Sequence, residues 1–257
     1  MSVLDSIIEG VREDLALRRK SMAELLAQMS EAPATLDAYQ SLLGNGIKVI
    51  AEVKRSSPSK GALSAIVDPA ALAEQYQEAG AAVISVLTEG RRFGGSLNDL
   101  SAVRERVTIP ILRKDFMVDE YQFYEARAYG ADLVLLIVAA LSKSQLKDYF
   151  DLAGELGMSA LVEIHTADEL ERAMEISPQL IGVNSRNLKT LEVNQESFAQ
   201  LLPQIPEQIT RVAESGISSR REVEFAQSYG ANAILVGEAL VTSGDPKLAM
   251  RALLGKG

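Results

Sequence analysis

Lysines and glutamates recur in this sequence at the ends of short apolar runs. Glu52 and Lys54 close the run IKVIAEVK, and their i, i+2 spacing sends both side chains to one side of an extended chain. Lys114 stands between Arg113 and Asp115 after PIL, and Glu163 lies inside SALVEI. Asn184 and Arg186 lie two apart beyond LIGV, and Glu214, Ser215 and Gly216 end RVAESG. Any one of these residues fits the solvated edge of a strand. The set fits that reading less well. A charge buried without a partner is costly, so such groups are expected to pair around a shared polar pocket. Lysine and glutamate in one pocket shift each other's proton affinity, which acid–base chemistry requires. The residue types point to an active site and leave the reaction open.

The runs that carry these groups recur along the chain. They are Ile47–Val53, Ala82–Leu87, Pro110–Leu112 and onward, Leu133–Val138, Ser159–Ile164, Leu180–Asn184, Arg211–Glu214 and Ala233–Gly237. Their nearly continuous apolar character predicts parallel strands covered on both faces. Helix-like stretches separate them; in DPAALAEQYQEAG, Asp68 is a good N-cap with Pro69 at the first helical position. The segments EAGAAVISV, AYGADLVLL and SYGANAILV repeat a helix-ending glycine (Gly80, Gly130 and Gly230) just before a strand. Strands and helices alternating in this way predict an α/β fold, a (β/α)8 TIM barrel, with a doubly wound open sheet as the alternative. Residues 1–46 do not fit a strand–helix unit. They predict an N-terminal helical extension of one or two helices, Val3–Ser30 and roughly Thr35–Leu43, joined by EAPAT. The extension either covers the bottom of the barrel or forms a lid over its catalytic end. With residues 47–257 as the barrel, the chain is expected to be one domain.

Barrels of this kind place catalytic groups at the C-terminal ends of their strands, where each polar residue named above falls. The last two strands add an anion signal. Gly216 leads into ISSRREVEF, a helix that Ser218 or Ser219 caps, and Gly237 precedes a short helical start at Glu238–Val241. Backbone N–H groups at two helix starts form an anion site, and a phosphate is expected there. Lys54, across the barrel closure, adds local positive charge. The chain as a whole is acidic, with a net charge of -9, which argues against nucleic acid or an acidic membrane as partner. With no cysteine and His165 as the one histidine, thiolate and multi-histidine metal sites are excluded. No metal and no cofactor are expected. The N-terminus is amphipathic and charged, unlike a signal peptide, and the longest apolar stretch, Leu133–Leu141, is too short to span a bilayer. A cytoplasmic protein is expected, as a monomer, with a homodimer as the alternative.

Seven segments together resemble one family, indole-3-glycerol phosphate synthase of tryptophan biosynthesis. They are IAEVKRSSPSKG (Ile50–Gly61), PILRKDF (Pro110–Phe116), ADLVLLIV (Ala131–Val138), LVEIH (Leu161–His165), IGVNSRNL (Ile181–Leu188), ESGI (Glu214–Ile217) and LVGEAL (Leu235–Leu240). They occur in the family's order, and the resemblance covers essentially the whole chain. It implies a carbon–carbon lyase acting on 1-(2-carboxyphenylamino)-1-deoxyribulose 5-phosphate by ring closure, decarboxylation and dehydration. Other readings are a different phosphate-binding barrel enzyme and a catalytically silent scaffold.

The resemblance also implies roles. Lys114 matches the general acid, and Glu163 the second acid–base residue, with Lys54 competing for one protonation. Glu52 positions the lysines. Asn184, Glu214 and Ser215 match polar residues that orient hydroxyls and the amine. Lys54 and Arg186 match cations for the phosphate or carboxylate. Ser57, Pro58, Phe116, Leu135 and Leu188 match the wall around the anthranilate ring. Gly216, Gly237 and Glu238 match the phosphate cradle through backbone N–H, with the Glu238 side chain expected to point away. His165 is expected to be structural, beside a helix cap at Thr166 and Asp168. Arg113 is expected to face the helical layer or solvent, because Lys114 takes the inward direction.

Overall fold

The computed structural model describes residues 2–256. Its sheet consists of β1 (Lys48–Val53), β2 (Val83–Leu87), β3 (Ile111–Lys114), β4 (Leu133–Ile137), β5 (Ser159–Ile164), β6 (Leu180–Asn184), β7 (Thr210–Glu214) and β8 (Ala233–Val236). These eight strands form a closed parallel barrel, a (β/α)8 TIM barrel. Closure comes from β1, which pairs with β2 on one side and with β8 on the other. The open-sheet alternative is therefore excluded. The predicted runs agree with the strands to within about one residue, Val138 passing instead into a 3-10 turn that ends at Ala140. Gly80, Gly130 and Gly230 all adopt positive φ, closing their helices as the repeat predicted. Asp68 caps the helix Pro69–Glu78 by accepting the Ala71 N–H.

The period of two along each strand decides what reaches the interior. Ile50, Leu112, Leu133 and Leu161 are buried, and the inward positions that follow at the C-terminal ends are Glu52, Lys114, Leu135 and Glu163. The apolar residues close the barrel's middle and leave the polar ones at its open end.

The N-terminal extension has three helices where one or two were expected, because the Val3–Ser30 stretch divides in two. α1 (Val3–Arg18) begins with a capping box between Ser2 and Asp5 and buries Leu4, Ile7, Val11 and Leu15, the spacing of one helical face. It stops because a second capping box, Ser21 with Glu24, starts α2 (Met22–Glu31). The Lys20 N–H between them donates to the Tyr121 hydroxyl at 2.8 Å. The expected helix over Thr35–Leu43 shrinks to α3 (Ala38–Ser41): Leu36 donates its N–H to the Asp132 carboxylate at 2.7 Å, and Asp37 is the cap. Both positions considered for the extension are occupied, by different parts of it. α1 lies over the C-terminal ends of the strands, where Val3, Leu4 and Ile7 meet the central cavity. α2 runs down the helix Tyr121–Ala128, and Thr35 and Leu36 reach Ser159 and Leu180 at the strands' N-terminal ends. No helix among the described residues is long and apolar enough to cross a membrane.

Candidate active site

One cavity opens at the C-terminal ends of the strands, about 1120 Å³ counting its mouth. Every site residue named from the sequence lines it. β1 and the loop after it supply Glu52, Lys54, Ser57 and Pro58; β3 supplies Lys114 and Phe116; β4 and β5 supply Leu135 and Glu163. β6 and its loop bring Asn184, Arg186 and Leu188, β7 brings Glu214, Ser215 and Gly216, and β8 brings Gly237 and Glu238.

At the centre, Lys114 Nζ lies 3.3 Å from Glu163 Oε2 and 3.6 Å from Glu214 Oε2. Burial disfavours the lysine's charge, but the carboxylates of Glu163, Glu214 and Glu52 outweigh it and hold its pKa above the ordinary lysine value. Burial likewise opposes the charge on Glu163. Lys114, His165 and the Asn184 side chain prevail, and its pKa falls below the usual glutamate value. Glu214 goes the other way: burial and the neighbouring Glu163 push it up to about 8 against the pull of Lys114. A neutral solution thus finds an ammonium, a carboxylate and a protonated carboxyl side by side. Such divergent proton affinities are what acid and base roles need. Room for the third group comes from Gly182 on β6, where a Cβ would strike the Glu214 carboxylate. Lys54 is set apart, its ammonium 2.7 Å from Glu52 Oε1.

The anion signal needs a correction. Part of the start of the helix Arg220–Ser228 is already used, because Glu222 Oε2 accepts the N–H groups of Ser218 at 2.6 Å and Ser219 at 2.8 Å. What remains at the cavity is the turn before it, where Ser215 and Gly216 both have positive φ and Gly216 and Ile217 line the wall. At the end of the neighbouring strand β8 stands Gly237, where a Cβ would lie 2.6 Å from Glu52 Oε1, so glycine lets the backbone come this close. Glu238 lines the cavity, and its carboxylate is taken up by Lys60 from the loop after β1. Arg186 is fixed by the Leu191 carbonyl at 2.9 Å and the Ser59 hydroxyl at 3.1 Å.

Sequence reasoning missed Glu89, Phe93 and the α1 residues. Glu89 lies two residues beyond Leu87, the end of β2, so it continues the strand's period of two, and that position was a usable signal. Its carboxylate accepts the backbone N–H groups of Arg91, Arg92 and Phe93 at 2.8–3.0 Å, shaping the loop that sets Phe93 6.2 Å from Phe116. Arg113 faces the helical layer as expected, but is fully buried there and not in solvent. His165 does more than border a cap. Its Nε2 lies 3.4 Å from Glu163 Oε1, inside the wall of the site.

Fold and site together define a (β/α)8-barrel enzyme with its acid–base groups at the strand ends. The family model described as Indole-3-glycerol phosphate synthase matches residues 4–253, and the chain belongs to that family. The Indole-3-glycerol phosphate synthase 1 of Streptomyces coelicolor is 56% identical, with 100% of this chain and 96% of that protein covered. The Indole-3-glycerol phosphate synthase of Mycolicibacterium vanbaalenii is 54% identical, covering 100% and 95%. Among solved structures, a 3-hexulose-6-phosphate synthase superposes with a TM-score of 0.64 at 17% identity, over 82% of this chain and 99% of that one. The N-acetylmannosamine-6-phosphate 2-epimerase from Clostridium perfringens gives 0.61 at 15%, over 83% and 95%. Those two likenesses concern the fold.

Proposed function

We propose that this chain converts 1-(2-carboxyphenylamino)-1-deoxyribulose 5-phosphate to indole-3-glycerol phosphate, carbon dioxide and water. The observation that carries the reading is Lys114, a cation held among three glutamates at the centre of the cavity. In the first step the ring carbon bearing the carboxylate attacks the ketone carbon, and the electron pair moves onto the carbonyl oxygen. Lys114, kept protonated by its neighbours, gives that oxygen a proton. The bond to the carboxylate then breaks, carbon dioxide leaves, and its electron pair restores the aromatic ring. Dehydration expels the new hydroxyl as water and removes a proton from the neighbouring carbon. Glu163, held as a carboxylate 3.3 Å from Lys114, is the base for that proton. Glu214, with a pKa near 8, is the neutral carboxyl able to donate to a hydroxyl. Lys54 is assigned to the phosphate, because Glu52 already draws its ammonium toward the barrel closure.

Phosphate binding is assigned to Lys54, Arg186 and the backbone of Gly216, Gly237 and Glu238, while Asn184 and Ser215 orient hydroxyls. Ser57, Pro58, Phe116, Leu135 and Leu188 hold the aromatic ring. Neither metal nor cofactor enters these steps. A monomer suffices, since every group used belongs to one chain; residues 1–257 form one catalytic unit, acting in the cytoplasm. The test is indole fluorescence after the purified protein meets that substrate. The chain has no tryptophan, so a rising signal comes from product alone. A rise supports the reading; bound substrate without a rise overturns it.

A further inference from the structure

His165 is the one histidine of the chain and lies two residues beyond Glu163, so its ring turns to the same side as that carboxylate. The imidazole sits between two carboxylates. Nε2 is 3.4 Å from Glu163 Oε1 and Nδ1 is 3.2 Å from Glu169 Oε2, on the helix Ala167–Met174. Glu169 is itself fixed, because the same oxygen accepts the His165 backbone N–H at 2.7 Å. The ring is 11% exposed, and Nε2 is buried and makes no hydrogen bond; the Glu163 carboxylate beside it is an ion-pair contact at 3.4 Å. Glu163 thus has different company at each oxygen: Lys114 at Oε2 and His165 at Oε1.

We propose that His165 is a positioning residue of this site, gripping one oxygen of Glu163 so that the other stays directed at Lys114 and the substrate. The proposal rests on the assignment of Glu163 as an acid–base group. A cap needs only the backbone N–H and Thr166, which accepts the Glu169 N–H at 3.2 Å; it gives no reason for a buried ring nitrogen aimed at the reacting carboxylate. An imidazole facing two carboxylates is matched best when both nitrogens carry hydrogen, since ionised carboxylates only accept. Burial lowers the proton affinity of the ring, but Glu169 and Glu163 together overcome it and the pKa rises, while Lys114 across the cavity opposes them. The turn Val138–Ala140, packed against the same strand, brings no titratable side chain.

The experiment uses the histidine's solitude: its ring gives a single set of imidazole NMR signals in the intact protein. The wild-type midpoint is expected above the ordinary imidazole value of about 6.5, moving down in Glu163→Gln and in Glu169→Gln. Two substitutions at the histidine separate grip from scaffold. His165→Asn keeps a donor toward Glu169 and loses the one toward Glu163. Its kcat is expected to fall roughly tenfold, the effect of losing one close charged contact on Glu163. The acidic limb of its pH profile should move to higher pH, because Glu163 has lost a cation. His165→Gln, which restores a neutral donor near Nε2, should recover kcat at neutral pH without restoring the limb. An imidazole midpoint indifferent to Glu163→Gln overturns the proposal, and so does an unaltered pH profile in His165→Asn. If the wild type forms no indole while the midpoint still responds, the synthase reading fails and the Glu163–His165 coupling stands.

Discussion

Arg113 and Lys114 are neighbours in sequence and point to opposite faces of β3, and each sits in a cluster of charges. The outer cluster is balanced. Arg113 donates to the Gln122 carbonyl at 2.9 Å, to Thr88 at 3.1 Å and to Asp115 at 3.0 Å, and pairs with Glu125 at 3.0 Å. Arg18, from α1, grips the same Glu125 with two bonds of 3.0 Å. The inner cluster is unbalanced: one lysine serves Glu163 and Glu214 at 3.3 and 3.6 Å, and Glu214 Oε1 has no partner. Burying a charge is costly on either face. Outside, saturated bonding offsets that cost and fixes the wall. Inside, incomplete bonding leaves proton affinities displaced and donors available to a substrate. The difference between a structural and a chemical ion cluster lies in what each leaves unsatisfied, since both are buried.

Breaking the inner cluster should cost activity first. Lys114→Ala is expected to lower kcat by about 10²–10⁴-fold, the range for a lost general acid, with substrate still bound. Stopped-flow indole fluorescence measures it, and a rate that survives would send the proton to Lys54. Breaking the outer one should cost stability. Arg113→Ala removes the buried cation that Asp115 and Glu125 share and is expected to lose about 3–5 kcal/mol in urea unfolding, with kcat per folded molecule little changed. A stability loss no larger than that of a surface substitution would undo the contrast.

A third change sharpens it through pH. Glu214 holds a proton in the folded protein up to about 8 and releases it near the ordinary glutamate value when unfolded. The native state therefore binds the extra proton between those values, and wild-type stability falls as pH rises through that window. Glu214→Gln escapes the penalty. Its gain, about 1–4 kcal/mol as for other buried charges replaced by neutral groups, should grow from pH 5 to pH 8 and level off above. Glu125 behaves oppositely: although burial raises its pKa, Arg113 and Arg18 bring it below the usual value. The stability it adds is present above the unfolded glutamate value and is lost as pH falls through the folded one. Thermal melts of Glu214→Gln and Glu125→Gln across pH should diverge in opposite directions. The smallest effect is expected for Arg18→Ala, about 0.2–1 kcal/mol for a pair open to solvent at one end.

The inner cluster was legible because a period of two is readable without a structure: Glu52 with Lys54, then Lys114, Glu163 and Glu214, fall where strands end. The outer cluster was not. Glu125 lies within a helix, and nothing local joins it to Arg113 or to Arg18, which stands 107 residues away. Ser219 caps its helix as expected, but Glu222, three residues on, completes a capping box that takes the N–H groups of Ser218 and Ser219 and so weakens the anion signal there. Glu89 was overlooked because it lies two residues past the end of β2, where the period of two runs on into a loop. The position of α1 was beyond reach, because amphipathic spacing says that a face is buried and not against what.

The clasp formed by the extension bears on the order of assembly. Among the described residues, the polar contacts that leave residues 2–46 reach partners from Arg91 to Asp132, including Asp119, Glu125 and Tyr129. All of these precede the strands that complete the barrel, so a nascent chain has the clasp and its moorings before it has β5 to β8. An unfinished sheet exposes an edge prone to mispairing, and a segment made first can shield the early half while the rest is still being synthesised. Pulse-labelled hydrogen exchange during refolding should then protect amides of residues 121–128 before those of β7 and β8.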